Sequence, residues 1–182
     1  DEELQLARYK VSKGSSFIGK TLLQTNFRSN YGCNILQVAS PNKVADMPGA
    51  EHVLEADSSI LVIGTKEQFK MLTAAIESKQ LDLEQVAKPI SLREFMLHDH
   101  DEEPELRFLS LAITIDKHSK LLGKSIKAAN IRENWSALVI GLERGAYTIT
   151  NPNLSLTFEK GDLLWILEKK KMMNTLIKEE VL

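Results

Sequence analysis

Ser15-Ser16-Phe17-Ile18-Gly19-Lys20-Thr21-Leu22 and Ser119-Lys120-Leu121-Leu122-Gly123-Lys124-Ser125-Ile126 are one phrase written twice, 104 positions apart. At the same offset Asn26-Phe27-Arg28-Ser29-Asn30-Tyr31 falls on Asn130-Ile131-Arg132-Glu133-Asn134-Trp135, and Pro48 falls on Pro152. Past one inserted residue, Asp57-Ser58-Ser59-Ile60-Leu61-Val62 matches Asp162-Leu163-Leu164-Trp165-Ile166-Leu167. A repeat of this extent sets the fold before any local reading, because each copy must be one supersecondary unit.

Each copy opens on a short, partly alternating apolar run, Leu6–Val11 and Phe108–Ile113, which reads as a half-buried strand. Leu22, Leu23 and Phe27, and then Ile126, Ala129 and Ile131, predict a helix after each Gly-Lys, from Gly19 to about Phe27 and from Gly123 onward. Cys33–Ala39 and Ala137–Leu142 are β-prone, and Asp46-Met47-Pro48-Gly49 and Asn151-Pro152-Asn153 carry turn chemistry. Ile60–Gly64 and Leu163–Leu167 are apolar enough for central strands covered on both faces. Phe69, Leu72, Thr73 and Ile76 predict a closing helix over 66–78, and Met173, Leu176, Ile177 and Val181 one over 170–181. The fold class is therefore α+β: two similar small strand-helix-strand-strand-strand-helix domains at 1–78 and 106–182.

Between them, residues 78–105 carry three bases and eight acids and end in His98-Asp99-His100-Asp101-Glu102-Glu103-Pro104-Glu105, so 79–105 reads as an acidic linker. Leu92–Leu97 can form a short helical turn within it, anchored by Phe95. A unit of roughly 75 residues buries only about 60–65% of its unfolded surface, so pairing with its twin or with another chain is expected.

The 182 residues carry 25 acids and 23 bases, with 43% hydrophobic residues. That balance gives no global basic field, and nucleic acid is not an expected partner. The lone cysteine, Cys33, cannot form an internal disulfide and has no neighbouring histidine, so it reads as a buried thiol in a reducing, cytoplasmic setting. Apolar stretches of about five residues fall far short of the ~20 needed to cross a bilayer, so no direct membrane insertion is expected. The opening Asp-Glu-Glu-Leu reads as a piece cut from a longer chain.

The pattern Ser-x-Leu/Ile-Gly-Lys-Thr/Ser-Leu/Ile, then Asn-x-Arg-x-x-aromatic, then a proline turn and Asp before an apolar strand, resembles the TrkA-C domain, also called RCK-C. The resemblance covers residues 5–77 and 106–181. It implies a dimerising, ligand-sensing regulatory module at the cytoplasmic face of the cell membrane. The transporter part of the same chain would be its partner, a monovalent cation (Na+ or K+):proton antiporter in the first instance. A potassium channel or uptake system, an organic-anion or amino-acid exchanger, and a purely structural dimerisation scaffold are the alternatives. The neighbouring RCK-N domain of that family binds nucleotides through a glycine-rich turn, and no GxGxxG occurs here.

No resident cofactor and no enzyme activity are expected. Gly19-Lys20-Thr21 and Gly123-Lys124-Ser125 have the tail of a phosphate-binding loop, but His118 stands where the second copy needs its first glycine. Arg28, Arg132 and Arg144 carry guanidinium groups suited to phosphate or carboxylate, with helix-end stapling as the plain alternative for Arg28 and Arg132. Since the family resemblance extends to members that bind cyclic di-AMP, it implies a site in which adenine stacks on Tyr147 or Trp135. Arg144 and Lys124 would meet the phosphates, with Arg132 nearby. The resemblance also implies that the first copy, with Ala56-Asp57 in place of Gly161-Asp162, is degenerate or structural. His98, His100, Asp99 and Asp101 have metal-capable side chains, but a solvated acidic segment accounts for them better, and no metal site is expected.

Overall fold

The computed structural model describes residues 3–98 and 108–170. The chain divides into two compact units, Asp1–Phe95 and Met96–Leu182. The first is built on an antiparallel sheet of β1 (Leu4–Val11), β2 (Asn34–Ser40), β3 (Lys43–Asp46) and β4 (Ser58–Thr65) in the order β3-β2-β4-β1, with two short strands outside β1. Its helices are α1 (Phe27–Tyr31) and α2 (Lys66–Glu77). In the second unit β7 (Phe108–Thr114), β8 (Ala137–Arg144), β9 (Tyr147–Thr150) and β10 (Leu163–Lys169) pair in the order β7-β10-β8-β9, with helices α4 (Ile126–Ala129) and α5 (Ile131–Trp135).

The runs Ile60–Gly64 and Leu163–Leu167 do lie in interior strands, each flanked on both sides. Tyr9, Val11, Val38, Ile60 and Val62 face a core that also takes Phe69 and Leu72 from α2. Thr65 starts that helix with a capping box. Its hydroxyl accepts from the Gln68 N–H, and Gln68 Oε1 accepts from the Thr65 N–H at 2.8 Å. The second core gathers Ile113, Ile115, Leu121, Trp135, Val139, Phe158, Leu164 and Ile166.

The two units repeat bond for bond at an offset of 104. Gly19 N–H donates to Leu54 O and Gly123 N–H to Phe158 O; Leu22 N–H donates to His52 O and Ile126 N–H to Leu156 O. A β-bulge skips Leu36 in one sheet and Ile140 in the other, and each bulged carbonyl accepts from a left-handed residue, Met47 or Asn151. Gly19 and Gly123 take φ of 82° and 81°, a region glycine enters without strain.

Three sequence expectations change. There is no inserted residue. Asp57 N–H bonds Val11 O just as Gly161 N–H bonds Ile115 O, so Asp57 matches Gly161 and Ser58 matches Asp162. The two aspartates, Asp57 and Asp162, stand one register apart, and their identity suggests an insertion that the backbone does not contain. The helix expected from Gly19 is absent: the amides of Gly19, Leu22 and Leu23 bond across to the 50–54 segment, and Asn26 at φ 53° delays helix until Phe27. In the second copy Asn130 at φ 50° splits the helix into α4 and α5.

The third change concerns the linker. Leu81 and Leu83 are buried in the first core, and β5 (Glu84–Gln85) and β6 (Ile90–Ser91) pair antiparallel with β1. Asp82 accepts from the Ser16 N–H at 2.8 Å, and Ser12 donates to Glu84 at 3.1 Å. α3 (Leu92–His98) follows, matching the expected turn around Phe95. Net acidity does not make this segment a bare linker, because its acids face out while two leucines face in. The remainder of the linker, with Asp99, His100 and Asp101, and the helix expected over 171–181 lie outside the described residues. Among the described residues no helix is long and apolar enough to cross a membrane, and no cluster of metal-capable side chains forms.

Candidate functional site

Arg144 ends β8, directly opposite Tyr147 across a hairpin that turns at Gly145, φ 59°. Its guanidinium is already engaged. Nε and Nη2 donate to the two carboxylate oxygens of Asp162, each at 2.8 Å, and Nη2 also donates to Thr157 O at 2.9 Å. Nη1 lies 3.2 Å from Glu159 Oε1 in a more exposed ion pair. Asp162 is 0% exposed and accepts a further hydrogen bond from the Glu159 N–H at 2.7 Å.

Burial alone would push the Asp162 carboxyl up, but the hydrogen bonds from Arg144 and the Glu159 amide outweigh it and hold it below the usual aspartate value. The same hydrogen bond to Asp162 raises Arg144. A bidentate guanidinium–carboxylate fork of this kind is a structural clamp on the strand ends. It ties β8 to the turn that leads into β10.

Lys124 stands on the other side of the 157–159 segment: its carbonyl accepts from the Phe158 N–H, and its side chain is exposed. Tyr147 is 77% exposed. Arg144 and Tyr147 thus face each other across the hairpin, and the Arg144 guanidinium and the Lys124 backbone bond to the same 157–159 segment. The other two expected site residues are elsewhere. Arg132 and Trp135 sit on α5 beside the start of β8, and the strand that separates them from Arg144 is about 23 Å long. Trp135, at 5% exposure, is a core residue, so its indole is not an available stacking surface. In the first unit Arg28 Nη1 donates to Gly32 O at 2.9 Å, closing its own helix end. Cys33 is buried, and burial pushes its thiol up to about 12.

A model of the TrkA-C domain matches this chain twice, over residues 6–77 and 111–179. The chain belongs to the TrkA-C domain family. The TrkA-C pair is similar to the Escherichia coli protein named uncharacterized transporter YfbS, 23% identical over 94% of this chain and 27% of that one. It is also similar to the K(+)/H(+) antiporter subunit KhtT of Bacillus subtilis, 28% identical over 38% of this chain and 43% of that one. A third relative is probable potassium channel protein 2 of Methanocaldococcus jannaschii, 26% identical over 46% and 24%. The chain spans less than half the length of each relative.

Among solved structures it is similar to the RCK C domain of the potassium transport protein KtrA in complex with cyclic diadenosine monophosphate. That match has 21% identity and a TM-score of 0.39, covering 48% of this chain and 93% of that one. The GsuK RCK domain matches at 14% identity and TM-score 0.40, covering 97% and 63%.

Sequence reasoning singled out Arg144 but missed its partner. Kept at a strict offset of 104, Arg144 and Asp162 fall on Ser40 and Ser58, and the paired change from two charges to two hydroxyls was the signal. The Ser58 hydroxyl donates to Ser40 Oγ at 3.4 Å, a weak version of the same tie. Glu168 was missed as well. It is fully buried at the end of β10, where the twin TrkA-C copy has Gly64, and among the described residues neither carboxylate oxygen has a hydrogen-bond partner.

Proposed function

We propose that this TrkA-C pair is the cytoplasmic regulatory module of a membrane Na+ or K+:proton antiporter, working as a homodimer and taking a small anionic ligand of the cyclic di-AMP kind. The observation that carries the reading is the double TrkA-C match, one copy to each unit. It is supported by relatives named as a transporter, an antiporter subunit and a potassium channel. Ligand or partner contacts would favour one arrangement of the module, and the same coupling free energy, typically ~1–3 kcal/mol, would bias the transport part.

Lys124 and Tyr147 offer an exposed cation and an exposed ring, which suit a phosphate and a base. Arg144 would join only by exchanging Glu159, an exposed partner whose pair is weak, while keeping Asp162. The commitment of Arg144 to Asp162 also favours a second reading, a dimerisation scaffold with no small-molecule ligand. Calorimetric titration with cyclic di-AMP separates the two. Saturable heat that disappears in Lys124→Gln and Tyr147→Ala supports sensing, and no heat at millimolar ligand supports the scaffold.

A further inference from the structure

The bond-for-bond equivalence of the two units allows one surface to be compared with itself. The loop after β1 and its neighbour at 55–57 carry Lys13 and Lys20 against Glu55 and Asp57, and Lys13 lies 3.9 Å from Asp57. Asp82 and Glu84 are bonded onto the same loop, leaving it acidic. The matching segment after β7 carries Lys117, Lys120 and Lys124 on its loop and Lys127 in the α4 helix that follows, with Lys160 on the segment that Gly123 and Lys124 bond to. All five lysines are exposed, and among the described residues none is paired with a carboxylate. Three of them replace Ser16, Leu23 and Ala56 of the first unit. Among the described residues the exposed acids on these two segments are Asp116 and Glu159, and Glu159 is already held by Arg144. Leu122, between Lys120 and Lys124, is 37% exposed.

We infer that the 116–127 segment of the second unit, a loop running into α4, is a peripheral docking surface for anionic phospholipid headgroups, with Leu122 as its apolar tip. Unpaired lysines around one exposed leucine match a negative lipid surface in both charge and polarity. The chain as a whole has a net charge of −2, so the attraction is local and short-ranged. The inference rests on the proposed membrane-transporter reading only for the nearness of a bilayer. Docking in this orientation would set the second unit against the membrane and leave the acidic loop of the first unit without such a contact.

Co-sedimentation of the full chain with vesicles of phosphatidylcholine, alone or with about a third phosphatidylglycerol, tests this. Binding is expected to the anionic vesicles only, and to fade as salt is raised from about 0.05 to 0.5 M. The combined Lys117→Gln, Lys120→Gln, Lys127→Gln variant leaves Lys124 in place and should bind on the order of a hundred-fold more weakly, at about five-fold per lysine. Leu122→Ser should weaken binding several-fold, and Lys13→Gln should change it less than about two-fold. Unchanged circular dichroism and cyclic di-AMP titration keep fold and ligand site out of the comparison. Equal binding to both vesicle types, equal binding by the triple variant, or retention on a DNA duplex but not on vesicles would overturn it. None of those results bears on the transport role, which flux measurements read separately.

Discussion

Arg144 and Asp162 meet in a two-point fork, 2.8 Å at each oxygen, at the place where the twin unit has Ser40 and Ser58 with hydroxyls 3.4 Å apart. The two copies therefore use one backbone design with two strengths of closure. Removing the cation from a fully buried carboxylate is the costly half of such a change. Arg144→Ala is expected to destabilise the second unit by about 3 kcal/mol. Asp162→Ser combined with Arg144→Ser, which copies the first unit, should lose less than Arg144→Ala alone. Thermal unfolding of the three variants checks the order.

Glu168 gives a pH dependence of the opposite sign to that of Asp162. Burial raises its carboxyl from the usual 4.5 to about 7, so the folded chain favours the protonated form. The associated stability is complete below the unfolded value of 4.5 and is lost as pH rises through about 7. The difference is worth on the order of 3 kcal/mol. Asp162, held low, contributes stability above the ordinary aspartate value that disappears as pH falls below it. Urea unfolding at pH 5 and pH 8 should show a drop in the alkaline midpoint that Glu168→Gln removes; a flat profile in the parent chain would count against the buried, unpaired placement.

Repeat, element order and central strands were legible because they depend on apolar pattern and on a motif written twice. What escaped was set by long-range bonding. Gly19 to Leu23 has helical spacing, yet its amides reach the 50–54 segment, a choice that no local periodicity records. Leu81 and Leu83 were hidden among acids, and their burial depends on β5 and β6 finding the edge of β1. Of the five expected site residues, Arg144 and Tyr147 face each other because the hairpin pairs them. Trp135 went to the core, as an aromatic at a helix end beside a strand commonly does.

The closing segment of the first unit is tested by Leu83→Ala, with an expected loss of about 2–4 kcal/mol for a leucine taken from a packed core. A chain ending at residue 78 should fail to give a cooperative transition, whereas one ending at residue 98 should unfold cooperatively. Equal behaviour of the two truncations by denaturant titration would restore the bare-linker assignment.

Equivalence of the two corners is open to a symmetric test. Gly19 and Gly123 have matching positive φ and open space where a Cβ would stand, so alanine at either adds backbone strain alone. Gly19→Ala and Gly123→Ala should each cost about 1 kcal/mol, within about 0.5 kcal/mol of each other. Unequal losses by chemical denaturation would show that the corners are not interchangeable.

The most direct measurement of the proposed function is proton-coupled Na+ or K+ flux in vesicles that hold the full-length protein, with the region spanning these two units present or excised. Regulation by the TrkA-C pair predicts that excision leaves the flux running but abolishes its response to cyclic di-AMP. Unaltered flux and an unaltered response after excision would contradict it.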